Sequence, residues 1–169
     1  MSPVRSFPPL ATAGARILIL GSMPGAESLR RRQYYAYAHN QFWPIMGALF
    51  GAGRDLSYGA RTRALTARGV AVWDVLKRCE RPGSLDGNIR PESEQANDLV
   101  SFLQAHPHIR AVFFNGGKAH AVFGRLVRPR LGPLAARLSF MRLPSTSPAH
   151  AALPRIAKLR AWRQIRKFL

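Results

Sequence analysis

The sequence predicts a three-layer α/β domain, with helices on both faces of a central four-stranded parallel sheet. Two observations carry that expectation. Four short apolar runs have the length and composition of strands buried on both faces. Between them lie stretches whose apolar residues recur at helical spacing, and strands alternating with helices argue for a parallel sheet covered on both sides. A chain of 169 residues, 47% of them hydrophobic, can bury one core of useful size. A single domain over 1–169 is therefore expected, with residues 1–14, which hold Pro3, Pro8 and Pro9, as an irregular lead-in.

In order, the expected strands are 16–20, 70–74, 111–115 and 138–143, each followed by loop-forming residues. The expected helices are 42–49, 58–68, 92–105, 118–127 and 153–168. Pro91, with Glu92 and Glu94 in the first turn, marks the opening of the third helix. The last carries Leu153, Ile156, Leu159, Trp162 and Ile165 at spacings of three, with Arg155, Lys158, Arg160 and Arg163 elsewhere on its circumference.

Charge is the loudest compositional signal. Against 8 Asp and Glu stand 26 Lys and Arg, 22 of them Arg, for a formal net charge of +18. Such a field attracts polyanions, and the basic residues are spread along the chain, which favours a folded basic face over a tail. The longest pure aliphatic run, Ile17-Leu18-Ile19-Leu20, is too short to span a bilayer, and no signal-peptide pattern follows Met1, so a cytoplasmic location is expected. A single cysteine, Cys79, excludes an internal disulfide and any CxxC motif. Scattered histidines and the absence of a GxSxG elbow argue against a metal site and a serine hydrolase.

In parallel α/β sheets ligands bind beyond the carboxyl ends of the strands. Here those ends carry Gly21-Ser22-Met23-Pro24-Gly25, Asp74, Asn115-Gly116-Gly117-Lys118 and Pro144-Ser145-Thr146-Ser147-Pro148. The glycine-flanked first segment lets backbone N–H groups approach a phosphate or carbonyl, although an ordinary strand-to-helix turn has the same look. The stretch from Gln33 to Pro44 offers aromatic faces for base stacking, while Phe42 and Trp43 also read as core residues opening a helix that Asn40 caps. Asp74 is an acid inside an apolar run, so it must find donors or shift its pKa. Asn115 offers one donor and one acceptor side at the same rim, or simply a turn. Lys118 at a helix start suits phosphate contact, and the three hydroxyls between Pro144 and Pro148 suit holding a DNA backbone, or a plain Ser/Thr-Pro turn.

Taken in order, these motifs resemble the uracil-DNA glycosylase superfamily from Ile17 to Phe168. GSMPG, the YY…N-x-FW arrangement and LPSTSPA together are most similar to its hypoxanthine-DNA glycosylase branch. The resemblance implies a monofunctional enzyme that flips a damaged base, hypoxanthine above uracil or ethenoadenine, and hydrolyses its N-glycosidic bond. It implies Asn40 as the catalytic residue. It places Gly21, Ser22, Met23, Tyr35, Asp74 and Asn115 around the base, and Lys118, Ser145, Thr146, Ser147, Pro148, Ala149 and His150 on the DNA. DNA is the implied partner of a monomer needing no cofactor or metal. Two departures stand out: Met23 replaces the usual water-activating Asp or Asn of the first motif, and Ala149-His150 replace the second motif's large apolar wedge. A non-catalytic nucleic-acid-binding domain and an enzyme on free nucleosides are the competing readings.

Overall fold

A computed structural model of the chain describes residues 2–169. All five residues of the strand Ile17–Gly21 are buried, as a strand covered on both faces requires. In chain order the strands are β1 (Val4–Arg5), β2 (Ile17–Gly21), β3 (Val70–Asp74), β4 (Leu76–Cys79), β5 (Gln95–Ala96), β6 (Ala111–Asn115) and β7 (Ser139–Leu143). The helices are α1 (Ala26–Arg31), α2 (Phe42–Phe50), α3 (Tyr58–Ala67), α4 (Leu99–Ala105), α5 (Gly117–Leu126) and α6 (Arg155–Trp162).

Strands β3, β2, β6 and β7 form the four-stranded sheet in that order, all neighbours parallel. From β2 the chain first builds outward to β3 and later crosses to β6 on the other side, so the strand order reverses beside β2. Crevices at such reversals are where open α/β sheets bind ligands. The register sets Gly21 against Asp74 and Asn115 against Leu143, which brings the chemistry-bearing strand ends level with one another.

Period-two alternation divides the sheet between two apolar clusters. Leu18, Leu20, Ala71, Val112 and Phe114 pack with Leu99, Phe102 and Leu103 of α4 and Ala119, Val122 and Phe123 of α5. Ile17, Ile19, Val72 and Phe113 pack with Phe42, Trp43 and Met46 of α2, Leu65 of α3 and Trp162 of α6. Each large apolar side chain so buried contributes about 1.5–3 kcal/mol relative to exposure. No helix among the described residues is long and apolar enough to cross a membrane.

Three expectations of local structure need correction. The helix expected over 92–105 begins only at Leu99, where Asp98 caps it by accepting from Ser101 N–H at 3.1 Å. Upstream, Pro91–Ser93 is a 3₁₀ turn and Gln95–Ala96 pairs with β4, so tertiary pairing overrides the helical pattern. The helix expected over 153–168 is α-helical only from Arg155 to Trp162 and continues as a 3₁₀ turn over Arg163–Phe168. The lead-in is not wholly irregular: β1, β4 and β5 form a small antiparallel sheet, and Leu10 bridges Val72.

Candidate active site

A cleft of about 1140 Å³ opens at the carboxyl ends of the four parallel strands, lined by the first motif, Tyr35, Asn40, Asp74 and the loop after β7. At its floor Gly21 is a glycine by necessity: a Cβ there would lie 2.6 Å from Asp74 Oδ1 and 3.0 Å from Tyr35 Oη. Asp74 Oδ2 and Tyr35 Oη are both buried without a hydrogen-bond partner among the described residues. Burial, reinforced by the nearby Asp86 carboxylate and opposed by Arg81, pushes the Asp74 carboxyl up to about 8. Burial and Asp74 likewise raise the Tyr35 phenol, and the Asn115 amide is the neighbour that works the other way.

Tyr34 and Tyr35 are sequence neighbours whose hydroxyls meet different surroundings, and Tyr35 adopts a left-handed backbone, φ 53°. Tyr34 turns inward, donating from its hydroxyl to Pro8 O at 2.9 Å. Tyr35 turns to the cleft, with one ring face stacked on Phe42 at 4.0 Å between centroids. A parallel tie holds the residue before Asp74: Trp73 Nε1 donates to Phe7 O at 2.9 Å.

The N-cap of α2 is Gln41 and not Asn40, the cap one reading of the sequence expected; Asn40 stands one residue earlier, its Oδ1 accepting from Phe42 N–H at 2.9 Å, and Phe42 and Trp43 are fully buried. Its amide nitrogen donates to no described residue, and the side chain lines the cleft. Met23 packs into the apolar cluster with Leu18 and Leu20, so no polar group stands at that position. The N–H groups of Ser22 and Met23 have no acceptor among the described residues.

On the far wall the loop after β7 is held from below. Asn115 accepts from Thr146 N–H at 2.9 Å and donates to Thr146 Oγ1 at 2.8 Å. Thr146 O accepts from Gln41 N–H at 2.9 Å, and Pro144 O accepts from Trp162 Nε1 at 2.9 Å. The buried ammonium of Lys158 reaches Ser147 O.

These contacts bear on three expected roles. Thr146 is wholly buried, so it does not offer its hydroxyl to a phosphate. Both ends of the Asn115 amide serve the loop, which leaves the base edge to Asp74. Lys118 is bonded to Glu94 at 2.7 Å, and that nearly inaccessible carboxylate also holds Arg125, so one negative charge is shared by two cations and the Lys118 ammonium already has a protein partner. Ser145 and Ser147 fit the expectation better: their oxygens accept from Ser147 and Ala149 N–H, leaving both hydroxyl protons to donate outward. Pro148, Ala149 and His150 are exposed on the same rim.

Sequence reasoning missed the loop after β4. Arg81, buried, donates to Pro24 O at 2.6 Å and to Gly83 O at 3.0 Å, locking this loop to the first motif. Asp86 accepts from Ser22 Oγ at 2.7 Å and faces the same cleft as Asp74. Burial raises its carboxyl, while the Ser22 hydrogen bond and Arg81 hold it down. The Pro, Gly, Asp and Asn residues of 82–88 announce a loop, and a long loop at a strand end was the available signal.

The sequence profile of the Uracil DNA glycosylase superfamily matches residues 8–166. A protein named hypoxanthine DNA glycosylase from Methanosarcina barkeri is 35% identical over 116 residues, covering 68% of this chain and 72% of that one. Its namesake from Methanosarcina acetivorans is 37% identical over the same shares. A solution NMR structure from M. acetivorans, described as a candidate uracil DNA glycosylase, superposes with a TM-score of 0.77 at 30% identity, covering 98% of this chain and 99% of that one. Fold, cleft and relatives define a DNA glycosylase, which hydrolyses N-glycosidic bonds in base excision repair. Within that class the chain belongs to the Uracil DNA glycosylase superfamily.

Proposed function

We propose that the chain excises hypoxanthine from DNA, reading the lactam edge that deamination of adenine creates. The observation that carries this is the cleft floor, where Asp74, with an oxygen that has no partner among the described residues, abuts Gly21, and the next residues, Ser22 and Met23, line the same cleft with N–H groups that have no acceptor among those residues. A lactam offers an N–H to the carboxyl oxygen and a carbonyl to the backbone donors. Adenine offers an amino group where the donors stand, and leaving buried donors unpaired costs about 1–3 kcal/mol each, or roughly tenfold in selectivity. The relatives named hypoxanthine DNA glycosylases favour a purine over uracil, which carries a similar edge.

Asn40 orients the attacking water. An amide has no useful basicity, so it acts by position, and the hydrogen bond from Phe42 N–H fixes that position. Water adds at C1′ as the C1′–N bond breaks, and the base leaves with the electron pair. The Ser22 and Met23 N–H groups stabilise the charge that develops on it, and solvent protons complete the balance. Tyr35 supports the face of the base. The Ser145 and Ser147 hydroxyls, with the rim from Pro148 to His150, grip the backbone of DNA bound by a monomer in the cytoplasm.

The test is excision from labelled oligonucleotides carrying hypoxanthine, uracil, ethenoadenine or adenine, followed by alkali and a denaturing gel. Hypoxanthine release well above the others, with strand scission only after alkali, is the expected result. Preference for uracil or adenine would exclude the lactam-purine reading.

A further inference from the structure

Drawing a nucleotide out of a duplex leaves a gap in the base stack, and proteins that unstack DNA fill such gaps with apolar side chains. The rim after β7 has little to fill it with, since its outermost residues are Pro148, Ala149 and His150. Among the described residues three large hydrophobic ones are exposed: Tyr37, Leu85 and Ile156. Ile156 lies in the first turn of α6 and does not line the cleft. The ring of Tyr37 packs edge-on against His39 at 5.3 Å. Leu85 is 57% exposed and lines the cleft, so it stands at the cleft mouth.

The setting of Leu85 distinguishes it from a stray surface leucine. Its two sequence neighbours are both tied to the first motif: Ser84 Oγ accepts from Ala26 N–H at 3.0 Å, and Asp86 accepts from Ser22 Oγ at 2.7 Å. Leu85 itself is extended, φ −79° and ψ 133°, just before the 3₁₀ turn Asp86–Asn88, and its side chain is left exposed. Behind it, Asn88 N–H donates to Leu85 O and Asn88 Nδ2 to Pro82 O, while Arg81 anchors the loop to Pro24 O. Ile89, buried in the core, closes the far end. An apolar side chain is thus held out at the mouth on a loop fastened at both ends, in a chain of net charge +18.

We propose that Leu85 is the side chain that enters the base stack when a nucleotide is drawn into the cleft. The proposal rests on the glycosylase reading of that cleft, and it assigns the wedge to the loop after β4 in place of the loop after β7. Because a single strand has no stack to fill, the contribution of Leu85 is confined to duplex substrates.

The experiment compares single-turnover release of hypoxanthine from duplex and single-stranded oligonucleotides by the wild type, Leu85→Ala, Leu85→Met and His150→Ala. The expected result is a loss of about tenfold or more for Leu85→Ala on duplex DNA, with the single-strand rate preserved and Leu85→Met largely restoring the duplex rate. The preserved single-strand rate also reports an intact fold. Equal loss on both substrates, no loss on duplex, or a duplex-specific loss in His150→Ala instead overturns the assignment. Wild-type protein that releases hypoxanthine from neither substrate overturns the functional reading and the wedge together. Normal wild-type turnover with an unimpaired Leu85→Ala overturns the wedge alone.

Discussion

Across the cleft from Asp74, whose buried Oδ2 has no partner among the described residues, Thr146 uses its N–H, its carbonyl and its hydroxyl in hydrogen bonds. The same contrast runs along both walls. On the floor beside the first motif, the Tyr35 hydroxyl is also unpartnered and its backbone is left-handed, each a local cost that folding elsewhere must offset. On the wall after β7, Asn115, Gln41, Lys158 and Trp162 satisfy the loop from beneath. One wall is left wanting polar partners of the kind a base edge supplies. The other is already ordered, so gripping a DNA backbone requires little further loss of freedom.

The sharpest test of that division is Asn40→Ala. Single-turnover excision is expected to fall by about 10²–10³-fold, the scale for losing one oriented polar group at a reacting centre. Loss of the bond from Phe42 N–H costs about 1 kcal/mol in stability, and DNA affinity stays close to wild type. An unchanged rate removes Asn40 from the reaction.

Asp74→Asn comes next, and it separates ionisation from shape. Because the folded carboxyl titrates at about 8 and its ordinary value is 3.8, the folded state keeps a proton that the unfolded state has lost between those values. Stability therefore falls as pH rises through that window. Denaturation midpoints collected from pH 4 to 8 should decline more steeply for wild type than for Asp74→Asn. A neutral carboxyl accepts the lactam N–H without placing a negative charge beside the base as it leaves, so wild-type excision should also fall as Asp74 ionises above about pH 8, and the variant should lose that limb. Identical pH profiles would break the link between burial and recognition.

On the opposite wall the order of effects reverses. Thr146→Val strands the Asn115 amide in a buried site, which costs about 1–3 kcal/mol in stability. Urea midpoints should drop accordingly while hypoxanthine selectivity persists. Ser147→Ala is the mildest change: stability moves by less than about 0.5 kcal/mol, and DNA affinity weakens by roughly two- to tenfold, the worth of one hydrogen bond. A Ser147→Ala variant that loses selectivity but not affinity would merge the two walls into one.

The sheet was legible because its strands announce themselves locally: an apolar run such as Ile17 to Leu20 has few other ways to hide both faces. Asp74 was legible for the converse reason, an acid where only apolar residues are comfortable. Thr146 was not, because Ser145-Thr146-Ser147 differ little in type, and only the amide of Asn115, 31 residues away, decides which hydroxyl turns inward. Arg81 and Asp86 were illegible on the same account. Their meaning depends on a loop that folds back on Pro24 and Ser22, at separations of 57 and 64 residues. The helix expected over 92–105 failed where Gln95 and Ala96 were drawn into pairing with β4, a demand no local periodicity records.

Phe7 and Pro8 line no part of the cleft, yet their carbonyls receive the side chains of Trp73 and Tyr34, the residues just before Asp74 and Tyr35. The lead-in is thus a fastener on the back of the pocket. A chain cut after Pro9 would keep every strand of the main sheet and every group that faces the base, while the two floor residues lost their common mooring. Looser floors blur fine distinctions before they stop turnover, so such a chain should release adenine more readily relative to hypoxanthine while its rate on hypoxanthine changes little. Fidelity in this molecule would then hang on a stretch of main chain that never meets the substrate.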